Sequence, residues 1–246
     1  DHLALVADRK DGDGIRTDAA KELATVLSIL RAKTGHDFSK YKNKTVNRRI
    51  QRRMQVLQAA TVPAYIQHLR EDPAEPELHF RDLLIGVTEF FRDPEAFQAL
   101  SPALDAILER GDAPSLRIWA PACSTGEEVY SLAIIVRELV EARGANLNVQ
   151  IFGTDIDYHA IEFARAGRYQ RTTGVSPERV KRWFFEDEGA FCPSRQIRAM
   201  CVFSVHNVTK DPPFSKLDLI SSRIVLIYFN SELQRRIIQT FHYALK

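Results

Sequence analysis

The sequence has few cysteines, no long apolar run and little net charge, and each of these absences excludes a class of protein. Its three cysteines, Cys123, Cys192 and Cys201, form no C-x-x-C pair, which argues against a disulfide framework and a zinc site and fits a reducing cytoplasm. No run reaches the roughly 18 apolar residues of a membrane span, and no signal peptide opens the chain. We therefore expect a cytoplasmic protein that binds no metal and does not insert into a membrane.

The net charge of +2 implies no general polyanionic partner, so any basic surface has to be local. Hydrophobic residues make up 45% of the chain and charged residues 27%, which is typical of a soluble globular protein. The 246 residues suffice for one large domain, or for a small domain beside a medium one.

Glycine is scarce where a phosphate-binding turn would need it. In "RIWAPACSTGEEVYSLAI" (residues 117–134), a strand leads through a turn with one glycine to a helix that starts with Glu127 and Glu128. A helix start after such a turn commonly binds phosphate, but two carboxylates would repel it. They would suit a cationic group such as an amine or a sulfonium, although favourable interaction with the helix dipole explains them equally well.

The N-terminal part of the chain has a helical pattern. Residues 1–20 are polar and are interpreted as a tail or linker, and residues 21–97 as a small all-α domain. In its first helix, one face carries apolar residues and Gly35 is a suitable C-cap. Residues 98–115 are expected to form a connecting helix and a linker.

Beyond residue 115, strands alternate with helices, which predicts a doubly wound α/β domain over residues 116–246. The expected strands are 116–119, 149–154, 202–205 and an apolar strand within 217–230; the expected helices are 127–141, 158–166 and 231–245. A segment with Gly189 and Pro193 breaks this rhythm, and we expect a small antiparallel β-subdomain at about 183–205. Ligands of such sheets bind at the carboxyl ends of the strands.

The second strand ends in "FGTDID" (residues 152–157), which indicates a ribose site. An acidic residue at this position usually binds the two ribose hydroxyls, and Asp155 is placed to do so, whereas Asp157 fits an N-cap of the next helix. Helix capping by Asp155 as well is the structural alternative. A ligand with a ribose, a cationic group and no phosphate matches S-adenosyl-L-methionine.

Three blocks now give a specific resemblance. They are "LLIGVTEFFRDPEAF" (83–97), the turn segment 117–134, and "FGTDID" with "LDLISSRIVLIYFN" (217–230) downstream. Together they resemble the CheR family of chemotaxis receptor glutamate O-methyltransferases. "KYKNKTVNRRIQRRM" (40–54) is similar to the basic helix of members fused to a methylesterase domain. The resemblance is therefore compatible with a methylesterase domain in the same full-length chain.

The resemblance implies an all-α N-terminal domain, then a doubly wound Rossmann-like methyltransferase domain with a small inserted antiparallel β-subdomain. It implies S-adenosyl-L-methionine as cofactor, S-adenosyl-L-homocysteine as product, and glutamates of chemoreceptor methylation helices as acceptors. The residues that it places at the cofactor are Gly86, Thr88, Arg92, Ala122, Glu127, Asp155, Asn207, Val208, Arg223 and Ile224. Those that it places nearest the transferred methyl group are Arg92, Arg223 and Tyr228.

The sequence departs from the family pattern at three places. Gly86 and Ile224 stand where the family usually has asparagine, and the terminal hairpin expected after the last helix is missing. These departures leave open an alternative: a degenerate methyltransferase-like module with weak or no cofactor binding, acting as a sensory or scaffolding partner. A small-molecule or nucleic-acid methyltransferase is a weaker alternative, because "DPPF" (211–214) resembles the amino-methylase motif but lies in a loop.

A basic helix is the last feature. Four arginines, Arg48, Arg49, Arg52 and Arg53, are expected on one broad face, where they would meet nucleic acid, an acidic lipid surface, an acidic helix or only solvent. No aromatic residue is interleaved with them, which weakens binding of single-stranded nucleic acid. The resemblance favours docking onto acidic receptor helices, so we expect no nucleic-acid partner.

Overall fold

The computed structural model describes residues 2–84, 86, 88–109, 115–223 and 225–246, with side chains from residue 18 onward. The chain forms two compact units. One comprises residues 1–85 and 228–232, and the other comprises residues 86–227 and 233–246. Within the described part of the chain, no helix combines the length and the apolar character that crossing a membrane requires.

The first unit is helical. Its helices are α1 (His2–Thr34), α2 (Asn43–Val56), α3 (Val62–Glu71) and α4 (Glu75–Leu83). Helix α1 ends as predicted, because Gly35 adopts a φ of +76° and donates its N–H to the Arg31 carbonyl at 2.9 Å. Residues 228–232 belong to this unit as well, and the Tyr228 carbonyl accepts the Lys42 N–H at 2.8 Å.

Residues 2–20, which the sequence analysis interprets as a tail or linker, are helical in the structure, because α1 starts at His2. This segment contains Gly12 and Gly14 but no proline. A glycine within a helix costs only about 1 kcal/mol relative to alanine, whereas proline costs about 3 kcal/mol. The polar composition therefore did not prevent the helix from extending through this segment.

The core of the helical unit follows the predicted apolar faces. Val26, Leu30, Val46 and Ile50 are almost fully buried, and so is Tyr65. Burying an aliphatic side chain of this size contributes about 1.5–3 kcal/mol. These contacts, rather than the intrinsic helix propensity, are the main source of stability for such short helices.

A buried polar network lies within this core. Arg53 donates from Nε and Nη2 to the two carboxylate oxygens of Glu75, at 2.9 and 2.5 Å. The Tyr65 hydroxyl donates to Glu75 at 2.9 Å and lies 2.6 Å from Nδ1 of His79, whose side chain is fully buried. Asp82 is within 3.6 Å of Arg53. The network neutralises a charge that would be costly to bury alone.

The second unit has the predicted α/β fold. Its strands are β1 (Ser115–Pro121), β2 (Asn148–Asp155), β3 (Phe184–Asp187), β4 (Ala190–Pro193), β5 (Cys201–Val205) and β6 (Leu219–Ile220). Its helices are α5 (Pro94–Glu109), α6 (Glu127–Ala142), α7 (Tyr158–Ala166), α8 (Pro177–Trp183), α9 (Arg195–Arg198) and α10 (Ser231–Ala244), the last beginning in residues assigned to the helical unit. The main sheet is parallel with the order β5-β2-β1-β6.

The small antiparallel sheet is also present. Strands β3 and β4 pair from Phe184–Pro193 to Asp187–Ala190, and Gly189 turns the chain between them with a φ of +76°. The segment predicted at about 183–205 extends too far, because its last residues form β5 of the main sheet.

The apolar segment at residues 217–230 differs most from its prediction. Among its described residues, Leu219–Ile220 alone pair with β1, and Val225–Tyr228 form a short 3-10 helix. A short apolar run does not distinguish strand from helix by its periodicity. Strand β6 therefore ends at Ile220, and residues 221–223 have no regular secondary structure.

Candidate active site

The turn between β1 and α6 is held in an unusual backbone conformation. Ala122, Ser124 and Gly126 have positive φ angles of 58°, 50° and 92°. A Cβ atom at Gly126 would lie 2.8 Å from Cβ of Ala164, so a larger residue does not fit there. The Cys123 N–H donates to the Thr154 carbonyl at 2.9 Å, which fixes the turn against the end of β2.

Asp155 links the end of β2 to this turn. Its Oδ2 accepts the Ser124 N–H at 2.8 Å, and its Oδ1 accepts the Asp157 N–H at 2.9 Å. Burial raises the pKa of Asp155, and these backbone bonds oppose that increase. An ionised carboxylate has about four acceptor positions, so both oxygens retain capacity for a further donor.

Asp157 has the structural role that the sequence predicted. Its Oδ1 accepts the backbone N–H groups of His159 and Ala160 at 2.8 and 3.3 Å, as an N-cap of α7. The two neighbouring aspartates therefore do different work: one caps a helix, and the other braces the turn beside it.

Glu127 is oriented from its own side of the turn. The Thr125 hydroxyl donates to Oε2 of Glu127 at 2.7 Å, and the Tyr169 hydroxyl donates to the Thr125 carbonyl at 2.7 Å. Burial raises the pKa of Glu127, with the bond from Thr125 opposing it. The carboxylate is thus partly withdrawn from water and held in one orientation by Thr125.

Glu128 faces a different partner and was not assigned to the site by sequence reasoning. Its Oε1 accepts the Ser221 hydroxyl at 2.5 Å, across from the end of β6. Burial raises the pKa of Glu128, and the Ser221 bond and the charges of Arg223 and Arg92 lower it. Two adjacent acids on one helix turn were the available signal, but the sequence did not show that they bind different partners.

Arg92 and Arg223 are brought together. Nη2 of Arg223 donates to the backbone carbonyl of Arg92 and, at 2.8 Å, to Oδ2 of Asp93. The guanidinium of Arg223 also lies over the ring of Phe97, 4.8 Å from its centroid. This packing holds a cation beside a cavity of about 220 Å³, whose lining includes Leu100 as well as Phe97 and Arg223.

Further predicted residues lie around the turn. The Gly86 carbonyl accepts the Ser124 hydroxyl at 3.4 Å. After β5, the His206 N–H donates to the Asp155 carbonyl at 2.9 Å, which places the next residue, Asn207, near the end of β2. The side chain of Asn207 accepts the Thr209 N–H and hydroxyl, so its oxygen serves its own loop.

Five other residues were predicted for the site. Thr88 and Val208 are half-buried, and Ala122 is exposed on the turn. Tyr228 lies in the segment that belongs to the helical unit. Ile224 lies outside the described residues.

One of the four arginines predicted on the exposed face of helix α2 is buried instead. Arg53 was expected on the exposed face, but it lies seven residues after Val46 and three after Ile50, which is the same face of a helix, and all three are buried. Arg48 and Arg52 are exposed. Arg49 is half-buried, and its Nε atom has no hydrogen-bond partner within the described part of the chain. The exposed basic surface of the helix is therefore narrower than predicted.

Comparisons with known proteins identify the family of the chain. Residues 21–84 match the family model of the CheR methyltransferase all-alpha domain, and residues 86–246 match that of the CheR methyltransferase SAM binding domain.

Individual relatives carry similar names. The chain is 31% identical to the putative methyltransferase Cher3 of Pseudomonas putida, covering 91% of this chain and 84% of that protein. It is 32% identical to chemotaxis protein methyltransferase 2 of Pseudomonas aeruginosa, covering 84% and 75%. It is also 36% identical to an uncharacterized 104.1 kDa protein of Rhodobacter capsulatus, covering 95% of this chain but only 25% of that protein.

Proposed function

Since the chain belongs to the CheR family of S-adenosylmethionine-dependent methyltransferases, we propose that it methylates glutamate side chains of a chemoreceptor. The names of several relatives, chemotaxis protein methyltransferases, support this acceptor class. The observation that carries the proposal is the paired arrangement of Asp155 and Glu127 around one backbone turn. In this proposal, Asp155 accepts from a ribose and Glu127 accepts from an ammonium group.

The residues at the turn fit S-adenosylmethionine by the chemistry of their donors and acceptors. Asp155 would accept from the ribose hydroxyls, and Glu127 from the α-ammonium group. Ala122 is exposed on the turn and its own side chain is short, which permits close approach of a ligand to the backbone. Carboxylates at the start of α6 disfavour a ligand with a phosphate group, and S-adenosylmethionine has no phosphate group.

The reaction requires alignment more than acid–base catalysis. When bound, S-adenosylmethionine supplies an electrophilic methyl group on a sulfonium sulfur. The acceptor glutamate, with an ordinary pKa of about 4.3, is already ionised at neutral pH and needs no base. The enzyme's residues must orient one carboxylate oxygen in line with the methyl group and exclude water.

Arg92 and Arg223 are proposed to orient the acceptor. An arginine binds a carboxylate through directional, charge-assisted hydrogen bonds. Asp93 and the ring of Phe97 already engage Arg223, which limits how strongly it can bind a further carboxylate and so preserves the nucleophile. Tyr228 remains the predicted third member of this group.

Docking to the receptor is proposed for the exposed part of α2. Arg48 and Arg52 are exposed and lie one helical turn apart on the same face of α2, so both can contact one acidic partner surface. Arg53 is excluded from this role because it is bound to Glu75 within the core.

The alternative of a degenerate, non-catalytic module rests on Gly86 and Ile224. Gly86 has no side chain to replace the missing asparagine, and an unpaired ligand group costs about 1–3 kcal/mol. Asp155, Glu127, Arg92 and Arg223 favour the enzyme. The loop "DPPF" gives no support to an amino methylase, because it precedes β6 and Phe214 stacks on Phe152 of β2 with centroids 4.6 Å apart.

Two measurements test the proposal. Calorimetry with S-adenosylmethionine and S-adenosylhomocysteine is expected to give micromolar dissociation constants. With methyl-tritiated cofactor and a chemoreceptor cytoplasmic fragment, the protein is then expected to form methyl esters, and base hydrolysis of these esters releases the label as methanol. Absence of binding would favour the non-catalytic module, and binding without ester formation would refute the acceptor assignment.

A further inference from the structure

Glu127 and Glu128 are adjacent in sequence but bind to separate groups. The carboxylate of Glu127 accepts the hydroxyl of Thr125, within the turn. The carboxylate of Glu128 accepts the hydroxyl of Ser221, which follows β6. One turn of α6 therefore presents one acid to the proposed cofactor site and the other to the segment that carries Arg223.

Ser221 is a firm anchor for Glu128. Its backbone N–H donates to the Trp119 carbonyl of β1 at 2.8 Å, so the parallel sheet fixes the residue in place. Two residues later, Arg223 reaches the Arg92 carbonyl and the Asp93 carboxylate. A short chain of bonds thus runs from α6 through the sheet edge to the two arginines.

The carboxylate of Glu128 lies in the field of two arginines. The positive charges of Arg223 and Arg92 both act on its carboxylate and favour its ionised form. Like charges repel each other, and the repulsion between two arginines that act on one carboxylate grows where water is excluded. Asp93 offsets part of it, but its side chain is 68% exposed and therefore well screened. Glu128 is more buried than Asp93.

We propose that Glu128 is a positioning residue for methyl transfer: fixed by Ser221, it holds Arg92 and Arg223 in the orientation that receives the acceptor carboxylate. This inference rests on the proposed function, since it concerns the acceptor side of the same site. It separates the roles of the two glutamates, with Glu127 serving the cofactor and Glu128 serving the acceptor.

The test uses Glu128→Gln in the whole protein. Glutamine still accepts the Ser221 hydrogen bond, so folding is retained, but it carries no charge. We expect kcat with a chemoreceptor cytoplasmic fragment to fall at least tenfold and KM for the fragment to change. The dissociation constant for S-adenosylhomocysteine is expected to stay within threefold. Glu128→Asp keeps the charge and is expected to recover part of the activity.

The matched control is Glu95→Gln, which removes an exposed glutamate from the first turn of α5 and is expected to leave both quantities unchanged. Normal kcat and KM in Glu128→Gln would overturn the inference. So would a loss of cofactor affinity as large as the loss of activity, because Glu128 would then serve the cofactor.

A spectroscopic measurement separates this inference from the proposed function. Nε–Hε signals of Arg92 and Arg223, assigned with lysine variants of each, are expected to shift or broaden in Glu128→Gln but not in Glu95→Gln. Unchanged signals would overturn the inference even if the wild-type protein methylates a receptor. If the wild type transfers no methyl group, the acceptor assignment fails, and this readout still decides whether Glu128 orders the arginines.

Discussion

The two units of the protein each contain an arginine bound by a carboxylate, but the carboxylates differ in their exposure to water. In the helical unit, the side chains of Arg53 and Glu75 are 10% and 1% exposed, and each oxygen of Glu75 accepts from the guanidinium. In the α/β unit, Arg223 is 17% exposed while its partner Asp93 is 68% exposed.

This difference separates a structural ion pair from a candidate ligand-binding one. The guanidinium of Arg53 is enclosed by Glu75 and Asp82, with Tyr65 hydrogen-bonded to the same carboxylate. Arg223 lines a cavity instead, and its exposed partner can be displaced or supplemented by a ligand. An arginine is informative about function mainly when its partner remains accessible to solvent.

The largest effect is expected from Arg53→Ala, which leaves Glu75 buried without its cation. Breaking a buried pair in this way typically costs 3–5 kcal/mol of unfolding free energy. Arg52→Ala on the exposed face is the control, and it should change the unfolding free energy by no more than about 0.5 kcal/mol. Urea titration measures both. Equal small effects would show that the pair is not as enclosed as the structure describes.

The second effect concerns His79 in the same network. Burial, followed by the charge of Arg53, lowers the pKa of His79 to about 4 from its ordinary 6.5. As the pH falls, His79 is protonated in the unfolded chain before it is protonated in the folded protein. As far as His79 is concerned, the folded protein therefore keeps its full stability above pH 6.5 and loses part of it as the pH falls towards 4. At pH 5 the loss is about 2 kcal/mol, because each pKa unit corresponds to 1.36 kcal/mol.

The measurement is the unfolding free energy at pH 7, 6 and 5 for the wild type and for His79→Asn, which does not titrate. The wild-type protein should lose more stability over this interval than the variant. Parallel pH profiles would show that His79 does not stay neutral in the folded protein.

Much of the fold could be predicted from local sequence patterns. Apolar periodicity and the turn at residues 120–126 predicted β1, α6, β2 and α7 to within one or two residues, because each is a short buried element with clear end signals. Residues 217–230 were harder, since the extent of β6 depends on its pairing with Ile118 and Trp119 rather than on its own composition.

The candidate site could be predicted only in part. Asp155 and Asp157 differ by two positions, and their order relative to the strand end and the helix start was enough to separate their roles. Glu128 was missed because its partner, Ser221, is 93 residues away. Arg53 was misplaced because four arginines on a helix suggest a basic surface, whereas its acidic partner comes from another helix.

A third effect is expected at the open site, on cofactor affinity rather than on stability. Asp155→Asn keeps the size of the side chain but removes the charge that accepts from the proposed ribose. Losing a hydrogen bond to a charged group costs about 1.5–3 kcal/mol, so affinity for S-adenosylhomocysteine should fall about 10- to 100-fold. Asp157→Asn should have little effect on affinity, since that residue caps α7. Equal effects in a calorimetric titration would remove the ribose assignment.

The smallest effect is expected on the exposed face of α2. Arg48→Glu with Arg52→Glu reverses two solvent-exposed charges one turn apart, and the unfolding free energy should change by no more than about 0.5 kcal/mol. If this face meets an acidic receptor helix, attraction becomes repulsion, and affinity for a receptor fragment should fall about tenfold at low salt. Cofactor affinity should not change.

Salt provides the sharper form of this last test. Attraction between exposed charges is screened beyond about 8 Å at physiological ionic strength and beyond about 3 Å at 1 M, so the difference between wild type and variant should shrink as salt is added. Lys33→Glu with Arg70→Glu makes the same charge change at exposed positions of α1 and α3 and serves as the matched control. If both double variants weaken receptor binding equally, affinity for the receptor depends on the net charge of the helical unit and not on the position of the arginines. If only the α2 variant does so, and mainly at low salt, the exposed arginines of α2 act as a docking surface while Arg53 on the same helix stabilises the fold.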